Sequence, residues 1–534
     1  MKRFLWKKTT TFLFILIGGT LPLIYYTQFV GVSSEFDRNK FTRFFSPSFY
    51  KDDFRQYIYR TDRKIDRRAF ETYSFSVEIS NQIGAYRLIS DTRDPKCRDI
   101  DYVLKPRRTV SVIITFYNEA RSALLRTIVT VLKRTPLEYL EEIILVDDCS
   151  YDASDGEDLK FLPYVKLIRN QRREGLIRSR NKGAETAYGT YLLFLDSHCE
   201  VNEGWLEPLL DRALKHPTIA VSPVIDSIDP DTLKYKASYP FLKGGFDWNL
   251  RFKWIPISFE ERKVRQEDIL SFTAPAFSAG TFMISRKWFF QLGGFDSSLE
   301  IWGGESLEMS IKHWLCGGQI EVVPCSRIGH VFRKSYPYSF PDGVYFTYLR
   351  NSKRIAESWF DEYKHFFYSM KPAARDISVE PNDKVNILKK DLQCRPFSWY
   401  LATVFSELKL PNEDHIAFGQ VKCGTKCLGF GVKDQTVKLQ DCSFEDNSQW
   451  FLHSTTGKLS TNTGACLNLN GNQVILEYCK DSKNQMWIRR GGKLVHEATG
   501  LCLDNTLLDA IVGTECRPGA PSQLFSFSVE LQKL

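Results

Sequence analysis

The order of apolar and polar positions changes character several times along the chain, and each change predicts an element. Residues 9–26 are apolar almost without interruption, and Lys2, Arg3, Lys7 and Lys8 precede them. At a helical rise of about 1.5 Å per residue the stretch is just long enough to cross a bilayer. A cleaved signal peptide is the competing reading, but Leu21-Pro-Leu-Ile-Tyr-Tyr26 prolongs the run and ends in interfacial aromatics, which favours a retained signal anchor. The basic residues ahead of it make residues 1–8 a cytosolic tail and put the rest in a lumen. Residues 27–73 mix Arg, Lys, Asp, Phe and Tyr with little periodicity and read as a stem without fixed structure.

From Thr109 the pattern is that of alternating strands and helices. Val110-Ser-Val-Ile-Ile114 is a β-branched run, Tyr117-Asn-Glu119 a polar turn, and residues 123–132 are apolar at helical spacing. Glu142-Ile-Ile-Leu-Val146 ends at Asp147-Asp148, and Val165-Lys-Leu-Ile168 follows it. A helical stretch spans residues 175–187, and Tyr191-Leu-Leu-Phe-Leu195 ends at Asp196. Such alternation predicts an α/β unit with a mostly parallel sheet, whose ligands gather beyond the carboxyl ends of the strands, where Asp148 and Asp196 fall. This unit is expected over residues 74–375, with a linker over 376–414.

Beyond Leu410-Pro-Asn412 the pattern turns to short strands, and a repeat appears. Cys427-Leu-Gly429 leads to Asp441-Cys442 and Gln449-Trp450; Cys466-Leu-Asn468 to Tyr478-Cys479 and Gln485-Met-Trp487; Cys502-Leu-Asp504 to Glu515-Cys516 and Gln523-Leu-Phe525. Three units of this kind, none able to bury its own face, predict a threefold all-β trefoil over residues 415–534.

Composition changes this picture little. With 534 residues, 43% hydrophobic and 25% charged, the chain is ordinary for a globular protein of two or three folded units. A net charge of +8 lacks the concentrated basic stripe of a nucleic-acid binder, so no nucleic-acid partner is expected, whereas a small anionic substrate fits. Thirteen cysteines suit an oxidising lumen, and their odd number leaves at least one without an intramolecular partner.

Candidate chemistry centres on Asp196-Ser-His198. A carboxylate and an imidazole two residues apart, just after a buried strand, point the same way and can hold one divalent metal. A mixed oxygen and nitrogen set suits Mn²⁺. His330, in Gly329-His-Val-Phe-Arg-Lys334, is a candidate third ligand, because a metal beside Arg333 and Lys334 is what a leaving diphosphate requires. Trp302-Gly-Gly-Glu305 reads as a glycine turn presenting Glu305 at the start of a helix over residues 307–315, with the glycines suggesting close backbone approach to a ligand.

Taken in order, Glu142-Ile-Ile-Leu-Val-Asp-Asp148, Arg172-Arg-Glu-Gly175, Asp196-Ser-His198, Trp302-Gly-Gly-Glu305, Gly329-His-Val-Phe-Arg-Lys334, Pro337-Tyr-Ser-Phe-Pro341, Trp359-Phe-Asp-Glu-Tyr-Lys364 and Pro396-Phe-Ser-Trp-Tyr-Leu401 resemble the polypeptide N-acetylgalactosaminyltransferases. The C-terminal repeat resembles their ricin-type lectin domain. The resemblance implies an A-type nucleotide-sugar glycosyltransferase fold followed by the trefoil. It also implies a Golgi single-pass membrane enzyme that uses Mn²⁺ to transfer N-acetylgalactosamine from UDP to Ser or Thr of polypeptides or glycopeptides, with retention. Thr115, Tyr117 and Asp148 would line the uridine site, Arg173 would approach the donor, and Asp196, His198 and His330 would hold the metal. Glu305, Trp302, Ala279 and Gly280 would lie at the transferred sugar. Arg333, Lys334 and Tyr338 would attend the diphosphate from a mobile loop over residues 331–341. The implied disulfides are Cys97–Cys325, Cys316–Cys394, Cys427–Cys442, Cys466–Cys479 and Cys502–Cys516, leaving Cys149, Cys199 and Cys423.

Several positions depart from the pattern of that family. Tyr117 stands where a His is usual, Ala279 adds a methyl where Gly is usual beside the sugar, and Ser306 replaces an Asn after Glu305. A ricin-type lobe uses one carboxylate to accept hydrogen bonds from sugar hydroxyls, and only the third unit keeps it, so Asp504 is the candidate for a single sugar site; Gly429 and Asn468 occupy the equivalent places. These departures keep two other functions open: a catalytically weak glycopeptide-binding homologue, and a transferase using a different UDP-sugar.

Overall fold

The protein is described here from a computed structural model covering residues 54–59, 73–104, 108–265, 267–408, 410, 415–430, 437–441, 450–453, 456–461, 465–507 and 510–530. The expected tail and span, most of the stem, and Cys442 lie outside the described residues. Among the described residues no helix is long and apolar enough to cross a membrane.

The strands of the first part are β1 (Val110–Phe116), β2 (Leu140–Asp147), β3 (Val165–Arg169), β4 (Tyr191–Asp196), β5 (Cys199–Val201), β6 (Ile219–Ile228), β7 (Tyr235–Lys236), β8 (Leu242–Phe246), β9 (Phe252–Pro256), β10 (Phe272–Thr273), β11 (Thr281–Ser285) and β12 (Gln319–Val331). Ten of them form one sheet in the order β10-β12-β6-β11-β4-β1-β2-β3, with β5 and β7 added at its side; β8 and β9 make a separate hairpin. β1 runs parallel to β2 and β4, and β2 to β3, which is the block the βαβ pattern predicted. β11 enters antiparallel between β4 and β6, and β12 runs parallel to β6. These strands are long, mostly apolar runs because they are buried in the sheet: β1 is buried along its whole length, with the helix Leu176–Thr186 packed on β1 and β2, while Arg121–Arg134 packs on β5. Register then sets the chemistry, placing Thr115 between Val146 and Asp196, and His330 opposite Cys199 on β5.

Two boundaries move. The stem expected over 27–73 contains the short helix Arg55–Ile58, with Phe54 and Tyr57 buried. Tyr57 donates to the Asp155 carbonyl at 2.7 Å and its own carbonyl accepts from Arg121, so aromatic spacing too short to show a period still supplied anchors. The linker expected over 376–414 includes the helices Asp383–Asp391 and Phe397–Thr403, whose Phe397 and Tyr400 are wholly buried in the main core. Tyr400 donates to the Pro275 carbonyl, and Cys394 is bonded to Cys316, so this segment belongs to the α/β part.

Among the described residues, twelve C-terminal strands, His415–Cys423 through Ser526–Glu530, form one sheet around a single apolar centre. The leucine of each Cys-Leu pair, Leu428, Leu467 and Leu503, is fully buried there beside Trp487 and Phe525, as a threefold trefoil requires. Phe418 joins the core of the α/β part, its ring 6.1 Å from that of Phe366. The structure pairs Cys97 with Cys325, Cys466 with Cys479 and Cys502 with Cys516; Cys427 is also disulfide-bonded, with Cys442 outside the described residues. Cys149, Cys199 and Cys423 are free thiols.

Candidate active site

A cavity of about 530 Å³ opens at the carboxyl ends of β1 and β4, against the end of β12 and the start of the helix Glu305–Leu315. β4 delivers Asp196, the turn after it His198, and β12 His330, and ligand atoms from all three lie within 4.8 Å of one another. The His198 and His330 rings are 4.7 Å apart, and His330 Nε2 is 3.3 Å from Asp196 Oδ2. Nδ1 of His330 is buried without a hydrogen-bond partner. Burial would raise the Asp196 carboxyl, but the His330 contact and the Arg180 charge outweigh it and hold Asp196 well below the usual range. Burial and the nearby Arg333 push His198 down to about 4, so its imidazole is neutral and has a lone pair to give. A carboxylate with two imidazoles is a donor set an Mn²⁺ ion takes, so the residues present fit that metal.

Gly280 is part of this fit. A Cβ on it would stand 2.3 Å from Asp196 Oδ2, so only glycine lets the carboxylate lie against that turn. Ala279, expected at the sugar, is not in the cavity: Ser278 and Gly280 border it, while Ala279 is wholly buried in the core. Its N–H instead donates to Ser306 Oγ at 3.0 Å, so the two departures from the family pattern meet in one hydrogen bond. Only Ser306 of the pair borders the cavity.

On the nucleotide side Thr115, Tyr117, Asp148 and Arg173 come together. Thr115 Oγ1 is buried with no partner, and the Arg173 guanidinium lies over the Tyr117 ring at 3.5 Å. Asp148 is held by the N–H groups of Glu174 and Gly175, by Asn170 and by Ser179, at 2.8–3.1 Å, so it braces the Arg173 turn as much as it faces the cavity. On the other side, Glu305 opens its helix with one oxygen accepting from the Gly303 N–H and Arg180 3.7 Å away. Burial raises the Glu305 carboxyl above its usual value, against the pull of Arg180. The glycines before it do not approach the cavity. Gly303 and Gly304 have φ of +102° and +90°, and a Cβ on Gly304 would meet Ile355 at 2.7 Å, so they serve a reversal packed on the helix Gly343–Trp359.

The segment after β12 borders the cavity with Arg333, Lys334 and Tyr338, and Tyr336 packs on Trp302 with rings 4.8 Å apart. Tyr338 lies 5.1 Å from the Arg173 guanidinium. Lys334, expected at the diphosphate, borders the cavity but pairs its ammonium with the exposed Asp231 carboxylate at 2.6 Å.

Two charged residues here escaped the sequence reading. Arg180, on the helix Leu176–Thr186, donates to Asp196 Oδ1 at 2.8 Å. Glu119, in the turn after β1, is buried and accepts from Ser197, His198 and Arg333. Burial opposes its charge, but Arg333, His198 and Ser197 together pull its carboxyl down to about 2. The available signal was an acid in a polar turn just after the carboxyl end of a mostly apolar, buried strand, the same kind of place that singled out Asp148 and Asp196.

In the trefoil Asp504 is wholly buried, and one of its oxygens accepts from Thr514, Arg517 and Gln523. That oxygen braces its repeat, while the other, Oδ1, is buried without a hydrogen-bond partner and is left to accept a hydroxyl.

Three family descriptions match the chain: glycosyl transferase family 2 over residues 111–289, the N-terminal domain of galactosyltransferase over 268–334, and the ricin-type β-trefoil lectin domain over 417–525. Polypeptide N-acetylgalactosaminyltransferase 14 of Homo sapiens is 42% identical over 85% of this chain and 84% of its own length. Polypeptide N-acetylgalactosaminyltransferase 16 of Mus musculus is 40% identical over 88% and 86%. A crystal structure of GalNAc-T7 with UDP, GalNAc and Mn²⁺ is 30% identical, with a TM-score of 0.66 over 89% of this chain and 90% of that one. The strands, the cavity and the trefoil are therefore those of an A-type glycosyltransferase joined to a ricin-type lectin unit, and the chain belongs to the polypeptide N-acetylgalactosaminyltransferase family.

Proposed function

We propose that this chain transfers N-acetylgalactosamine from UDP to the hydroxyl of Ser or Thr in polypeptides, with retention at the anomeric carbon. The observation that carries it is that one cavity gathers the Asp196, His198 and His330 cluster, the guanidinium groups of Arg173 and Arg333, and the buried Glu305. Asp196, His198 and His330 would hold Mn²⁺, which when bound neutralises charge on the diphosphate leaving group. Tyr117 with Arg173 over its ring offers a flat face to the uracil, and the unpartnered Thr115 Oγ1 offers it a hydrogen bond. Arg333 and Arg173 add fixed positive charge where the diphosphate gathers it, a term that acts strongly in a water-poor site. Trp302, Tyr336 and Phe332 wall the cavity with rings, which keeps water from competing with the acceptor hydroxyl. That hydroxyl oxygen attacks the anomeric carbon from the face the diphosphate leaves. The carbon–oxygen bond to the β-phosphate breaks as the new one forms, and the hydroxyl proton passes to the departing phosphate oxygen. Glu305 remains to accept a hydrogen bond from the transferred sugar.

The chain is further proposed to be a type II protein of the Golgi membrane with its enzyme portion in the lumen. The basic residues ahead of the apolar stretch 9–26 support this, and so do the disulfides, which persist in oxidising compartments. Protease treatment of sealed vesicles should leave the catalytic portion intact, and digestion without detergent would reverse the orientation.

The deciding assay incubates the full-length protein with Mn²⁺, a panel of Ser- and Thr-containing peptides and glycopeptides, and UDP-GalNAc beside other UDP-sugars. Transfer from UDP-GalNAc is expected. Transfer from another donor alone would make Ser306 a specificity residue, since Ala279 keeps its methyl out of the cavity. Binding of UDP and glycopeptide without any transfer would turn the protein into a glycopeptide receptor.

A further inference from the structure

Glu119 takes no part in the transfer set out above, yet it touches two separate parts of the machinery. Its side chain is buried between the turn after β1 and the metal cluster. Oε1 accepts from the Ala120 N–H at 2.9 Å, and Oε2 accepts from Ser197 Oγ at 2.7 Å. Oε2 also lies 3.0 Å from His198 Nδ1, and Arg333 Nη2 reaches the two oxygens at 2.7 and 2.6 Å.

Arg333 Nη2 also lies 3.2 Å from His198 Nδ1, but it is engaged more closely by the two carboxylate oxygens. A carboxylate only accepts, so the shorter contact, that of Glu119 with His198, assigns the proton to Nδ1. A neutral imidazole carries one N–H, which leaves the lone pair on Nε2, and a second-sphere acceptor of this kind both orients a metal-binding ring and strengthens its basicity. The same carboxylate seats Arg333, and the segment carrying Lys334 and Tyr338 continues from there.

We propose that Glu119 is a positioning residue that fixes His198 in its Nδ1–H form for the metal and at the same time seats the loop arginine, so that one carboxylate sets both the metal site and the diphosphate clamp. The inference rests on the metal role assigned above to Asp196, His198 and His330. If Glu119 served only to cap the chain at Ala120, its loss would lower stability and leave the tautomer of His198 and the affinity for metal untouched.

Two measurements test it, and neither depends on turnover. In the metal-free full-length protein labelled with ¹⁵N-histidine, long-range nitrogen–proton correlations report the tautomer of His198, its signals identified by their loss in His198→Gln. The Nδ1–H form is expected, and an Nε2–H form would overturn the proposal without any variant at Glu119 having to fold. The second titrates Mn²⁺ without nucleotide, following the free ion by electron paramagnetic resonance. Glu119→Gln keeps the shape but sets an amide where Arg333 and His198 need an anion. It should weaken Mn²⁺ binding by about 10- to 100-fold, with Glu119→Asp recovering part of the loss. An affinity for Glu119→Gln within twofold of the parent, with unchanged far-ultraviolet circular dichroism, would overturn the positioning role alone. If the parent itself binds no Mn²⁺, the metal reading falls and this inference with it.

Discussion

At the scale of single residues the site is built from contacts that tolerate little change. Asp196 is fixed on both sides: Arg180 holds Oδ1, and Gly280 lies so close to Oδ2 that a methyl would stand 2.3 Å from it. Gly280→Ala is therefore expected to weaken Mn²⁺ binding at least tenfold while the fold persists, as read by direct titration; an unchanged affinity would remove Asp196 from the ligand set. His330→Ala should abolish Mn²⁺-dependent UDP binding, and retained binding in an equilibrium assay would leave the metal to other ligands. Asp196, His198, His330 and Arg333 were legible in the sequence, because short motifs at strand ends put ligand types two residues apart or beside cations. Glu119 and Arg180 were not, since an acid in a turn and an arginine on a helix are commonplace until the fold brings them to one cluster. Ala279 shows the converse: its neighbours Ser278 and Gly280 face the cavity, and adjacency in sequence did not reveal that the methyl between them turns to the core.

At the scale of elements, the glycine turn expected against a ligand is structural, and the Asp504 carboxylate also braces its own repeat. The reversal at Gly303 and Gly304 starts the helix Glu305–Leu315 from left-handed backbone and packs it on the helix Gly343–Trp359. Gly304→Ala combines that unfavourable φ with a contact to Ile355 at 2.7 Å, so a loss of about 1–3 kcal/mol is expected from urea unfolding. A loss of activity with full stability would instead restore a ligand-facing role. Asp504→Ala would strand the donors on Thr514, Arg517 and Gln523 inside the third repeat, costing about 1–3 kcal/mol. A calorimetric scan should show a lower melting temperature, and loss of glycopeptide use at unchanged stability would give Asp504 a sugar after all. The four parallel strands β1–β4 were legible to within two residues, since buried parallel strands are nearly continuous apolar runs, whereas β5–β12 were not picked out. The helices at residues 55–58 and 397–403 were not, because they are too short to display a period and are held by tertiary packing.

At the scale of the molecule, acid should loosen the fold in a definite window. His313 is wholly buried, its Nε2–H donating to the Gln319 carbonyl at 3.0 Å and its Nδ1 accepting from Trp288 at 3.3 Å, a pattern only the neutral ring satisfies. Burial pushes it down to about 4, and His198 is lowered alike. Between the ordinary histidine value of about 6.5 and that lowered one the unfolded chain binds more protons, so stability present above the upper value is lost as pH falls toward the lower. For His313 this amounts to about 3 kcal/mol at full protonation. Urea midpoints taken from pH 7 to pH 4 should fall accordingly, less steeply in His313→Gln, and a flat profile would contradict the buried neutral ring. The bond between Cys97 and Cys325 has a consequence for how the chain is made. Its halves are separated by 228 residues, so at about 5–20 residues per second Cys97 waits roughly ten to fifty seconds for its partner. Cys149 and Cys199, which have no native partner, emerge during that interval, in the oxidising lumen if the chain is placed as proposed above. Until the sheet closes over Cys199, the nascent chain therefore holds wrong partners before the right one exists, and correct assembly depends on exchange catalysts to undo early pairings rather than on the order of synthesis.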